Sequence, residues 1–155
     1  MTLTPIEFDI AQIVPHAATM CLLDRALAGD KETIACEVEI RPTSLFNDGA
    51  GVGAWVGVEY MAQTVAAWAG WHSRTHGAEP KVGFLLGTRC YNCSQPLFKT
   101  GEILRIEARR EFQADNGLGQ FDCRILIAGN VVATAALTVF EPADADEFLK
   151  ESGNE

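Results

Sequence analysis

The chain has 155 residues, of which 48 % are hydrophobic and 21 % charged. That is enough for one domain with a real core, and it excludes disorder of the whole chain. Twelve basic against 21 acidic residues leave a formal charge of −9, so a general nucleic-acid binder is excluded, because phosphate recognition needs a basic field.

The first ten residues, MTLTPIEFDI, lack the positive start and apolar run of a signal peptide. Residues Glu7 to Ile13 then read as a short helix that stops before Pro15. The run from Pro15 to Leu27 (PHAATMCLLDRAL) is mixed, with an apolar patch. Thr33 to Ile40 alternates, with Ile34, Cys36, Val38 and Ile40 on one face, as a half-buried strand does. Phe46 to Gly53 reads as a glycine-rich loop.

Ala54 to His72 reads as one long helix, with Glu59, Gln63, Thr64 and His72 its only clearly polar residues. A helix apolar nearly all round must be wrapped by other elements. The stretch from Gly49 to Trp71 carries one charge in 23 residues and is long enough to span a bilayer. However, that charge, Glu59, sits near the middle, where lipid would penalise it, and the strands that follow need a core. A helix buried in protein is the expectation, with no membrane partner.

The rest reads as strands. Val82 to Tyr91 is largely apolar, and Glu102 to Phe112 places Leu104, Ile106, Ala108 and Phe112 on one face. Asp115 to Gly119 is a turn, and Gln120 to Ala128 puts Phe121, Cys123, Ile125 and Ile127 on one face. Gly129-Asn130 suits a two-residue hairpin turn before a last strand, Val131 to Phe140. The acidic tail, residues 141–155, holds six acids and one lysine. One long helix followed by at least four strands points to an α+β domain over residues 1–140, a curved antiparallel sheet wrapped around the helix.

Two motifs carry a family resemblance. PHAATMCLLDR (Pro15 to Arg25) resembles the segment of bacterial 3-hydroxyacyl-acyl carrier protein dehydratases in which Pro-His leads, without a gap, to Asp-Arg. VEYMAQ (Val58 to Gln63) resembles the helical segment carrying their catalytic glutamate. The resemblance implies the hot-dog fold, usually dimeric, and the dehydration of a 3-hydroxyacyl thioester to the trans-2-enoyl product. These enzymes carry a catalytic histidine about 14 residues before the helical glutamate, and here that count lands on Leu45. The departure points to a divergent branch, such as the second dehydratase-like protein of aryl polyene pigment clusters.

Glu59 is the candidate general acid: among apolar neighbours on a buried helix, desolvation favours a carboxyl that keeps its proton and can give it to a leaving hydroxyl. Gln63, one turn on, would orient it. His16, the one histidine in a family-like motif, is the candidate base. Free amides at Gly53, Ala54 and Trp55, opening the helix, would face a thioester carbonyl, and the resemblance implies Ala54. Ala66, Ala67 and Gly70 leave a small face for an acyl chain or for ordinary packing. His72 reads as a complement to the helix dipole, and His76 as a loop residue. Asp24 and Arg25 would pair with each other or border the site.

Five cysteines at irregular spacing, including a lone Cys90-Tyr-Asn-Cys93, give no disulfide framework and no zinc signature. A reduced, cytoplasmic protein with no metal and no cofactor is expected. The expected partner is an acyl carrier protein or coenzyme A thioester, in a homodimer or a heterodimer with another hot-dog subunit. Lys99, Arg105, Arg109 and Arg110, with Arg89 ahead of them, would form a basic rim for an acidic carrier protein. A hot-dog thioesterase and a non-catalytic partner subunit are the competing readings.

Overall fold

The computed structural model describes residues 3–15, 20–77 and 84–141. The strands are β1 (Thr4–Pro5), β2 (Arg25–Gly29), β3 (Thr33–Glu39), β4 (Gly51–Gly53), β5 (Phe84–Cys93), β6 (Leu97–Lys99), β7 (Ile103–Gln113), β8 (Leu118–Ile127) and β9 (Asn130–Phe140). The helices are α1 (Ile10–Ile13) and α2 (Gly57–Thr75), the latter entered through a 3₁₀ turn at Ala54–Val56. Seven strands form one antiparallel sheet in the order β1-β2-β3-β7-β8-β9-β5, and β4 pairs with β6 apart from it.

The alternation predicted for β3 meets its counterpart in β7. Ile34 lies opposite Ala108, Cys36 opposite Ile106 and Val38 opposite Leu104, and all six are buried. A slip of one residue would turn this whole set to solvent, so burial fixes the register. Ten residues of α2 are buried, among them Tyr60, Met61, Val65, Ala67 and Trp68. The helix ends where Gly77 takes a left-handed φ of 73°.

Bulges bend the sheet around α2, and one of them overturns an expectation. The β7–β8 register shifts between Arg110 and Phe112, so the alternation changes phase there. Phe112 is therefore 59 % exposed and does not share the inner face of Leu104 and Ile106. Arg110 ends that inner row instead, its guanidinium 5.0 Å from the centre of the Trp68 ring and hydrogen-bonded to Glu32.

The hairpin turn after β8 also falls one residue earlier than expected. Ile127 pairs with Asn130, leaving Ala128 and Gly129 as the central residues, both at positive φ (50° and 81°). That is the type I′ pattern, whose twist suits a two-residue hairpin. The glycine-rich segment is partly ordered as β4, a three-residue strand too short to show a period. The helix expected from Glu7 is only the four-residue α1. The tail beyond Glu141 lies outside the described residues.

Candidate active site

Glu59, Ala62, Ala66 and Ala69 recur along α2 at spacings that put them on one helix face. Opposite them stand Gly119, Phe121 and Val139 from the inner face of the sheet. Between the two walls lies a cavity of about 160 Å³, closed in part by Pro15 and Leu85. Its orientation follows from two contacts. Gly57 faces Ile125, and Trp68 packs edge-on against Phe121 with ring centres 5.4 Å apart. Strand β8 thus runs antiparallel to α2, and Gly119 lies at the end of the cavity away from Glu59. Trp68 is nine residues past Glu59, which is about 13 Å of helix.

The Glu59 carboxylate is half-buried and accepts a hydrogen bond from Gln63 Nε2 at 3.0 Å. Gln63 is 1 % exposed, and its amide is used on both sides. The same Nε2 donates to the Met20 carbonyl at 2.8 Å, and Oε1 accepts from the Leu22 N–H at 2.8 Å. An unpaired amide at such depth would be costly, so Gln63 locks Met20–Leu22 against the helix turn that carries Glu59. The i, i+4 spacing signalled that pairing in the sequence; the bonds to Met20 and Leu22 had no sequence signal.

His16 lies outside the described residues, although its neighbour Pro15 lines the cavity beside Glu59. The amides expected at Gly53, Ala54 and Trp55 lie at the 3₁₀ turn that leads into α2. None of the three lines the Glu59 cavity. The Ala54 N–H donates to the Pro96 carbonyl at 3.1 Å, because the β4–β6 ladder continues into the helix entry and consumes it. The Trp55 indole is 67 % exposed and meets Phe46 edge-on, 5.3 Å between ring centres. Tyr91, which the sequence did not single out, sends its hydroxyl into this entry, donating to the Ala54 carbonyl.

The expected small face divides. Ala66 lines the cavity together with Ala62 and Ala69, which were not foreseen. Ala67 is in the core, and Gly70 receives α1: a Cβ there would overlap the Ile13 carbonyl. His72 lies against both Trp68 and Trp71, and its Nε2 meets the Asp30 carbonyl at 3.1 Å. Burial, first among several influences, pulls its pKa below the ordinary histidine value, so it favours the neutral ring and is no cationic complement to the dipole. His76 caps α2.

Asp24 and Arg25 do not pair with each other. Asp24 accepts from Arg41 at 3.0 Å and from the Glu39 N–H at 2.7 Å, while Arg25 meets Glu37 at 3.0 Å. The expected basic rim is also dispersed. Arg105 pairs with Glu107 at 2.9 Å and Arg109 with Glu111 at 3.7 Å, while Arg110 turns inward to Glu32 and Trp68. Alternation along β7 sends neighbouring arginines to opposite faces. All five cysteines are free thiols. Burial pushes Cys36 and Cys123 up to about 12, so neither is a nucleophile at neutral pH. Among the described residues, no group of histidine, cysteine or acidic side chains could hold a metal ion, and no helix is long and apolar enough to cross a membrane.

A sheet around one helix, with an acid facing a cavity between them, matches the expected architecture. The family model of the ApeP-like proteins, described as ApeP dehydratase, matches residues 8–150. The chain belongs to the ApeP-like dehydratase family. Its hot-dog fold is shared with the dehydratase heterocomplex ApeI:P from Xenorhabdus doucetiae, at a TM-score of 0.84 and 26 % identity over 94 % of this chain and 97 % of that one. A hypothetical thioesterase with coenzyme A from Streptococcus pneumoniae is similar at TM-score 0.56 and 15 % identity, covering 71 % of this chain and 78 % of the other. Cj0977, a virulence protein from Campylobacter jejuni, is similar at TM-score 0.64 and 12 % identity, covering 87 % and 96 %. Those two share the fold alone. No curated protein matches the sequence. As an ApeP-like dehydratase, the chain is a hydro-lyase that acts on 3-hydroxyacyl thioesters.

Proposed function

We propose that dehydration takes place in the cavity beside Glu59, with Glu59 and His16 as the acid–base pair. The observation that carries this reading is the cavity itself, with Glu59 at one end, apolar or small residues along most of its walls, and Gln113 and Glu141 beside Gly117 and Gly119 at the other end. Such a channel suits a thioester whose polar carbons sit at the acid and whose alkyl tail follows the alanine face. His16 takes the proton from the carbon next to the thioester carbonyl. The electron pair forms the new carbon–carbon double bond as the bond to the 3-hydroxyl breaks. Glu59, in its protonated form, gives its proton to that hydroxyl, which leaves as water. Pro15, one residue before His16 in the sequence, lines the cavity wall, and Gln63 binds Met20 and Leu22, four and six residues after it; this closeness in sequence supports His16. Gln63 is a positioning residue.

The thioester is carried on acyl carrier protein or on coenzyme A, and the protein works in a reducing cytoplasm, which its five free thiols suit. The partner is a second hot-dog subunit. Strand β5 forms one edge of the seven-stranded sheet and exposes Leu85 and Leu86, at 43 % and 58 %. An edge strand of ten residues with two exposed leucines invites pairing, and the ApeI:P relative is a heterocomplex. A second copy of this chain would make the homodimer, a different hot-dog chain the heterodimer.

Incubating the protein with 3-hydroxyacyl thioesters, on carrier protein and on coenzyme A separately, tests the reading. Loss of water detected by mass spectrometry supports it. Release of free thiol without loss of water would instead indicate a thioesterase.

A further inference from the structure

Two glycines, Gly117 and Gly119, line the cavity at the end away from Glu59, beside Gln113 and Glu141, and the backbone accounts for only one of the two glycines. Gly117 has a φ of 94°, and a Cβ there would collide with the Glu141 carbonyl. Gly119 has no such constraint. It lies within β8, paired with Gln113 on one side and Val139 on the other, and its φ is not in the left-handed region. A Cβ at this position would meet Phe121 at 3.5 Å, Val139 at 3.6 Å and the Phe112 carbonyl at 3.7 Å, all ordinary contacts.

Glycine inside a paired strand costs backbone entropy and leaves nothing to pack, and it commonly marks a place where something else comes close. Phe121 and Val139 both line the cavity. A larger side chain at 119 would therefore grow between them, into the space that faces Trp68 and Ala69. We propose that Gly119 determines acyl chain length: its missing side chain keeps the far end of the cavity open for a long acyl tail. The inference rests on the cavity being the acyl site. The far end is more than 13 Å of helix from Glu59, by the nine-residue rise to Trp68. A four-carbon acyl group carries one carbon past the reacting C3, whereas a twelve-carbon chain carries nine toward that end.

The test compares 3-hydroxybutyryl and 3-hydroxydodecanoyl pantetheine thioesters on the full chain, with water loss followed for wild type, Gly119→Ala and Gly119→Val. Gln120→Val serves as the control, being the adjacent residue on the opposite face of the same strand. Wild type should prefer the long chain. Gly119→Val should lower kcat/KM for the dodecanoyl substrate by about tenfold or more, since pocket discrimination by one or two carbons is of that order, and leave the butyryl value nearly unchanged. Gly119→Ala should fall between, and Gln120→Val should keep the wild-type ratio. A long-to-short ratio unchanged in well-folded Gly119→Val overturns the assignment. If Gly119→Val does not fold, Gly119→Ala decides, because its one added carbon meets only ordinary contacts. Failure of wild type on both substrates would count against the dehydratase site itself, which separates the two failures.

Discussion

The carboxamide of Gln63 joins three parts of the site: Glu59 on its own helix, and the Met20 carbonyl and Leu22 N–H on the segment after His16. Removing a buried amide strands its partners, which costs more than the net value of each bond. Gln63→Leu should lower stability by about 2 kcal/mol or more in chemical denaturation, and kcat should fall further than the folded fraction explains. Unchanged stability would show that water replaces the amide. His72 gives a pH prediction. Its folded-state pKa lies below the ordinary value, chiefly through burial. The unfolded chain therefore binds the proton more readily, and stability is complete above the ordinary histidine pKa and falls as pH drops below it. Melting temperatures of wild type should decline from about pH 7 toward pH 5.5, and His72→Gln should flatten that limb. Equal slopes would assign the limb to other groups.

At the scale of the elements, α1 and α2 meet through one glycine. Gly70 has the Ile13 carbonyl where a side chain would be, so Gly70→Ala must push α1 away or bend α2. We expect a loss of about 1–3 kcal/mol, the usual cost of forced overpacking, read from denaturant midpoints; no change would mean α1 docks loosely. Elements with a steady period were legible in the sequence. Ile34, Cys36 and Val38 alternate, so β3 could be seen, and α2 could be seen from a long run with few polar residues. Elements defined by pairing were not: β4 and β6 are three residues each, and the bulge after Arg110 is set by the partner strand. That bulge is why simple alternation puts Phe112 on the inner face while the structure exposes it. The site divides in the same way. Glu59 and Gln63 are neighbours by helix spacing, whereas Gly119, Phe121 and Val139 become one wall only through the β8–β9 register.

For the whole molecule, the open edge at β5 and the family's dehydration chemistry bear on each other. If β5 joins a second hot-dog subunit, Leu86→Lys should shift the protein toward monomer in sedimentation velocity, since a charge on an exposed edge opposes pairing. An unchanged sedimentation coefficient would move the interface elsewhere. In the proposed reaction, Glu59 performs the proton transfer that releases water. The measurement that reaches it most directly is single-turnover water loss from a 3-hydroxyacyl thioester, followed by mass spectrometry for wild type and Glu59→Gln, with melting curves on the same samples. The substitution keeps the shape of the side chain and removes its acidic proton. A general acid at Glu59 predicts a Glu59→Gln protein that melts at or above the wild-type temperature and is slowed in the chemical step by about 10²-fold or more, the scale of general acid catalysis. A folded Glu59→Gln protein that loses water from substrate at the wild-type rate would contradict it.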